Sequence, residues 1–95
     1  MNLFKVTEVI DGDTFKVEKW SWNNRTGDTV RPTGYDIPEK GTYGYQSAKD
    51  VLTKLILGKD VDIRKVATID KYGRLVADVY YNEKNLADYF PEYKR

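Results

Sequence analysis

The sequence predicts a β-rich α+β domain: an OB-fold barrel of five strands, with one main amphipathic helix between strands 3 and 4 and a short C-terminal helix. Two observations carry this expectation. Five short β-patterned stretches are separated by turn signals. One segment after the third stretch switches its apolar period from that of a strand to that of a helix. A split α+β sandwich can be built from the same elements and remains the rival architecture.

The elements follow in order. Leu3 to Ile10 reads as a strand, with apolar Leu3, Val6, Val9 and Ile10 and β-branched Thr7. Asp11-Gly12 signals a turn, and Thr14 to Trp22 reads as the returning strand. The run from Asn23 to Asp28 is polar and glycine-containing, and reads as a loop. Thr29 to Tyr35 reads as the third strand, with Arg31, Thr33 and Tyr35 on one face. Pro38, Gly41 and Gly44 mark the next loop. Ala48, Val51, Leu52, Leu55 and Ile56 recur at helical spacing, and Gly58 sits where a helix stops. Asp60 to Ile69 and Leu75 to Tyr81 read as the last two strands. Asn82-Glu83 is a tight turn, and Ala87 to Tyr89 begins a short helix that Pro91 ends. Trp20 and Trp22, two apart, are expected on one face and to pack on the sheet.

The chain has 95 residues, 40% hydrophobic and 14% aromatic, which fits one self-sufficient domain over residues 1–95. It contains no Cys and no His. That excludes disulfides, thiol nucleophiles, cysteine-rich zinc sites and Ser-His-Asp triads. Catalysis, where present, must run on carboxylates, Lys, Arg, Tyr, hydroxyls or a hard metal ion. The net charge is +1, so nucleic-acid binding requires a local patch rather than a basic body. No apolar run approaches the ~20 residues of a membrane span, and no membrane association is expected. The N-terminal residues lack the basic and apolar regions of a signal peptide. The compartment is open: a secreted or cell-envelope location would follow if a signal segment had been removed.

Three stretches concentrate chemistry. "DGDT" (11–14) and "DKYGR" (70–74) each read, taken alone, as turns. In "RPTGYDIPE" (31–39), Arg31 lies in a strand, Asp36 falls at its exit, and Glu39 follows a proline that pins the turn; a solvated charged loop is the plain alternative. A barrel would bring these stretches to one rim. Asp11, Asp13, Asp36 and Glu39 would then approach one another, and their repulsion amounts to several kcal/mol even at an effective dielectric of about 20. Protonation or a hard cation, Ca²⁺ or Mg²⁺, would offset it. With Arg31 and Arg74 on the same rim, the set has the makings of a phosphate site.

These motifs resemble the staphylococcal nuclease family. "VIDGDTFKV" is similar to its first motif, "RPTGYDIPE" to its Arg-x₄-Asp-x-Pro-Glu element, and "DKYGR" to its third; "GYQSAKDVLTKLILGKDVDI" resembles the helix and strand between them. The similarity spans roughly residues 5 to 90. It implies an OB-fold and a Ca²⁺-dependent nuclease acting on DNA or RNA. The net charge of +1 and the short loop after Glu39 point to a preference for single strands, and a monomer is expected. Asp13, Asp36 and the main-chain carbonyl of Ile37, where the family often has Thr, would ligate calcium. Glu39 would orient or deprotonate the attacking water. Arg31 and Arg74 would bind the phosphate and stabilise the transition state, and Asp11 would steady the hairpin and the metal's waters. Lys71 and Tyr72 match positions near a substrate phosphate. The implied cleavage is of the P–O5′ bond.

The chain departs from the secreted members in a shorter loop between Glu39 and Tyr43, without their mobile basic segment. The tyrosines those members set against the base have no counterpart; Tyr89 and Tyr93 lie nearby without matching. Two other functions fit the same residues: a non-catalytic nucleic-acid- or peptide-binding module, and a structural module with solvated loops. Retention of Asp13, Arg31, Asp36, Glu39 and Arg74 favours the enzyme.

Overall fold

The computed structural model describes residues 3–95. Five long strands close into a mixed β-barrel: β1 (Leu3–Asp11), β2 (Thr14–Trp22), β3 (Arg25–Pro32), β4 (Asp60–Ile69) and β5 (Leu75–Tyr81). The helix α1 (Tyr45–Ile56) lies between β3 and β4. The sheet order is β3-β2-β1-β4-β5, and a parallel pairing of β3 with β5 closes it. This closure sets the sandwich alternative aside, and the OB-fold stands.

Local chemistry explains where the elements begin and end. Residues 23–28 are not a loop. Asn23 and Asn24 both take positive φ, 52° and 63°, and make a two-residue hairpin turn. Arg25 therefore pairs with Trp22 at once, and β3 starts earlier than the composition suggests. Gly27 belongs to the strand because a Cβ there would come within 2.5 Å of the Trp20 ring. At its other end β3 stops at Pro32. Gly34, at φ +94°, turns the chain so that Tyr35 points into the core, off the face of Arg31. A register shift between Lys16 and Trp20 likewise lets both Val17 and Trp20 face inward. The Trp20 indole N–H donates to the Thr29 carbonyl at 2.9 Å, and Trp22 packs against the core, so both tryptophans are packing residues.

The helix begins one turn before its apolar stripe, at Tyr45, and buries Ala48, Leu52 and Ile56; Val51 is exposed. Its end is stitched to β1. Gly58, at φ +77°, donates its N–H to Val6 O at 3.0 Å, and Val6 N–H donates to Lys59 O at 2.9 Å. Asn82 and Glu83, both at positive φ, turn β5 into a two-residue strand β6 (Lys84–Asn85) that the sequence pattern does not announce. The short C-terminal helix is one 3₁₀ turn, Leu86–Tyr89, capped by Asn85. No helix among the described residues is long and apolar enough to cross a membrane.

Two contacts fix the rim used below. Gly12 sits so close to α1 and to Ile37 that a Cβ on it would lie 2.8 Å from the Ala48 Cβ and 3.1 Å from Ile37 Cγ2. Gly12 is required for this close approach, not for a positive φ. Beside it, the fully buried Tyr35 donates its hydroxyl to the Gly12 carbonyl at 2.8 Å, while its ring stacks on Phe90 at 4.6 Å. Tyr35→Phe keeps the stacking and strands a buried carbonyl. The expected loss is about 1–3 kcal/mol, read as a lower urea midpoint with an unchanged m-value; an unchanged midpoint would show that the bond contributes nothing.

Candidate active site

The barrel's closure assembles the site. In the parallel β3–β5 register Val30 pairs with Leu75 and Arg31 with Val76, so Arg31 and the β4–β5 turn ending at Arg74 reach the same rim. The β1–β2 turn joins them from the side. Its residue Thr14, buried, donates its hydroxyl to Asp13 Oδ1 at 3.3 Å and accepts a long hydrogen bond from Arg74 Nη1 at 3.5 Å. Arg31 Nη2 lies 3.4 Å from Asp13 Oδ2 and 2.7 Å from Asp36 Oδ1. Arg74, Thr14, Asp13, Arg31 and Asp36 thus form one connected polar chain drawn from distant parts of the sequence.

Each member is held by local structure. In the β1–β2 turn the Asp11 carboxylate accepts the Asp13 N–H at 3.1 Å. Arg31 Nη1 also donates to the Pro32 carbonyl at 3.1 Å, so its side chain folds back along its own strand. Arg74 is set by Asp70. One Asp70 oxygen accepts the N–H groups of Tyr72 (2.9 Å) and Arg74 (3.0 Å), and the other accepts Arg74 Nε at 2.7 Å. Sequence reading treats Asp70 only as a turn former; here it also orients the arginine. The exposed Tyr72 ring stands 5.2 Å from the Arg74 guanidinium carbon and 5.3 Å from Lys71 Nζ.

Burial pushes the Asp13 carboxyl up to about 6, reinforced by its hydrogen bond with Asp11 and by the Asp11 charge; the Arg31 guanidinium and the Thr14 hydroxyl pull the other way. The Tyr35 phenol is pushed up by burial first and by Asp13 second. For Asp70, burial pushes up, but the backbone and guanidinium hydrogen bonds from Arg74 and the Tyr72 N–H together outweigh it, and the carboxyl is held below its ordinary value.

The expected gathering of four carboxylates does not occur. Among the described residues no three acidic side chains lie close enough to hold a metal ion together. The Arg31 guanidinium stands beside both Asp13 and Asp36 and offsets part of their mutual repulsion. Glu39 is exposed on the loop after Pro38, and its carboxylate makes no hydrogen bond or ion pair among the described residues. The Ile37 carbonyl likewise accepts no hydrogen bond there. Sequence reading also passed over Thr14, Tyr35 and Arg95. Thr14 and Tyr35 lay within the "DGDT" and "RPTGYDIPE" runs; Arg95 carried no signal.

Residues 28–90 match the family model described as staphylococcal nuclease homologue. The chain belongs to this family. A comparison with curated proteins gives no match. The span matching the staphylococcal nuclease family includes Arg31, Asp36, Ile37, Glu39, Lys71, Tyr72 and Arg74, while Asp11 and Asp13 precede it. Family membership makes the chain a nuclease-like or nucleic-acid-binding domain.

The Asp70 contacts generate a pH-dependent expectation. A carboxyl lowered on folding contributes stability above its unfolded pKa, and that contribution disappears as pH falls through the folded-state value. Asp70→Asn should therefore cost about 1–3 kcal/mol at neutral pH. The gap between variant and wild type should close as pH drops below 3.8, the carboxyl's ordinary value. Urea unfolding at both pH extremes checks this; a gap that persists in acid would assign the loss to packing.

Proposed function

We propose that this chain is a calcium-dependent nuclease that hydrolyses the P–O5′ bond of DNA or RNA, giving a 3′-phosphate and a 5′-hydroxyl. The observation that carries the reading is the convergence of Arg31 and Arg74 on opposite sides of Asp13 and Thr14. Two guanidinium forks flanking hard oxygen donors suit a phosphodiester and poorly suit an uncharged substrate.

The donor set fits calcium in kind. Asp13 and Asp36 both contact one Arg31 nitrogen, which would have to draw back for an ion to sit between them, and the Ile37 carbonyl has no other partner among the described residues. These three groups would hold the ion, with waters completing its shell. When bound, calcium neutralises negative charge and polarises a phosphoryl oxygen. The remaining steps belong to side chains. Arg31, only 19% exposed, and Arg74 take the non-bridging oxygens and stabilise the charge that builds on them during attack. Glu39, free of partners among the described residues, accepts a proton from the attacking water. The P–O5′ bond breaks opposite the incoming oxygen, and the departing 5′ oxygen takes a proton from solvent. Asp11 holds the Asp13 turn, and Lys71 and Tyr72 guide the neighbouring strand. With a net charge of +1 the protein has little long-range pull on a polyanion. A flexible single strand can bend into the rim, which a stiff duplex cannot.

A second reading, a nucleic-acid-binding domain without catalysis, is favoured by the absence of a three-carboxylate group among the described residues. The two separate by assay. For the nuclease, single-stranded DNA is cut with Ca²⁺ and left intact with chelator, while a duplex of the same sequence is cut more slowly. Arg31→Lys and Arg74→Lys should each raise the barrier by about 2–4 kcal/mol through loss of the planar fork, while leaving the fold intact. Binding without cleavage under any divalent ion would favour the second reading.

A further inference from the structure

Arg95 lies far from the three motifs in sequence, yet the fold brings it to them. Residues 93–95 run antiparallel beside the exit of β3. Asp36 N–H donates to Tyr93 O at 3.1 Å, Arg95 N–H donates to Gly34 O at 2.9 Å, and Tyr35 and Lys94 form a bridge between them. This pairing lays the Arg95 side chain over Asp36, with Nε 3.2 Å from Asp36 Oδ2. The other oxygen of Asp36 is taken by Arg31. One carboxylate therefore stands between two guanidinium groups.

Arg95 meets an aspartate as Arg74 does, but more loosely. Arg74 donates its Nε–H to Asp70 at 2.7 Å, whereas Arg95 Nε stands 3.2 Å from Asp36 Oδ2 as an ion pair without a hydrogen bond. The terminal N–H edge of a guanidinium matches two oxygens of a phosphate. At Arg95 the terminal nitrogens have no partner among the described residues, and the side chain is 61% exposed. Arg31 is 19% exposed on the same carboxylate. The two forks thus sit at different depths, one inside the rim and one at its edge.

We propose that Arg95 is a third phosphate-binding arginine, which takes a backbone phosphate next to the one gripped by Arg31 and Arg74. This rests on the nuclease reading of the site and adds a subsite to it. The inner pair holds the reacting phosphate; the outer fork holds its neighbour along a single strand. In a chain with little net charge, such a local contact supplies grip that the body of the protein does not.

The test is equilibrium binding in chelating buffer, which reads affinity without cleavage. A thymidine dinucleotide, carrying a single phosphate, is compared with a tetranucleotide across a salt series, for wild type, Arg95→Gln and Arg95→Lys. Arg95→Gln should leave dinucleotide binding unchanged and weaken the tetranucleotide roughly threefold to tenfold. It should also flatten the slope of log affinity against log salt by about 0.7, one single-strand phosphate contact. Arg95→Lys keeps the charge and should restore the slope. A wild-type slope in Arg95→Gln, or equal weakening for both oligonucleotides, would overturn the subsite while leaving the nuclease reading intact. Failure of wild type to bind either oligonucleotide in chelating buffer would overturn the subsite, while cleavage assayed with Ca²⁺ decides the nuclease reading separately.

Discussion

The hydrogen bond from the Tyr35 hydroxyl to the Gly12 carbonyl is the contact on which the rest of the rim depends. Asp13 follows Gly12 and Asp36 follows Tyr35, so joining those two residues sets the two carboxylates beside each other. The bond is buried, where water cannot compete for either partner, and breaking it would strand a carbonyl in the core. The Gly12 backbone can come this close because the residue has no Cβ: α1 occupies one side and Ile37 the other. Stacking of Tyr35 on Phe90 then ties the same point to the 3₁₀ turn and the segment after it. A single tyrosine thereby couples the first hairpin, the exit of β3, the helix and the C-terminal segment.

Placing carboxylates together has an electrostatic cost, and arginines offset it. Asp13 and Asp36 share Arg31, Asp36 also meets Arg95, and Asp70 holds Arg74. The same guanidinium groups are the natural partners of a phosphodiester. In the proposed nuclease, ion pairs in the free protein would hold the cationic forks in orientation before substrate arrives, which would lower the entropy lost on binding. Asp13, despite Arg31, remains pushed up by burial to about 6. Its environment penalises an isolated negative charge, and that is the environment in which added positive charge is most strongly felt.

Much of this was legible in the sequence, and the parts that were not share a cause. The helix stripe, the two long hairpins and the three motifs are local patterns, and the strands Thr14–Trp22, Asp60–Ile69 and Leu75–Tyr81 fell where alternation placed them. The early start of β3 was missed because Asn23-Asn24 works as a turn only through positive φ at both residues, which polar composition also reads as loop. The gathering of four carboxylates was expected from charge alone; where the Arg31 guanidinium would lie depends on the β3–β5 pairing, a contact across more than forty residues. Tyr35 read as a strand residue on the face of Arg31, because the reversal at Gly34 is a matter of backbone conformation. Arg95 carried no signal, since its role arises only when residues 93–95 pair with residues 34–36.

The order in which these contacts arise constrains how the site is used. Strands β1 to β3 are joined by two-residue turns and can form locally. The β3–β5 pairing spans α1 and β4 in sequence, and the contact of residues 93–95 with Asp36 comes at the far end of the chain, so both are non-local and carry a larger loop-closure cost than the hairpins. Arg31 and Arg74 meet only in the closed barrel. Arg31 and Arg74 are anchored at a strand end and at a turn fixed by Asp70, whereas Glu39 lies on an exposed loop. The loop after Glu39 is short, and Thr42 folds back on it, its N–H donating to Glu39 O at 3.0 Å. Where a longer basic loop would gather substrate by flexible contacts, the proposed nuclease would depend on the arginines at the rim, and its selectivity would come from how well a strand can bend to meet them.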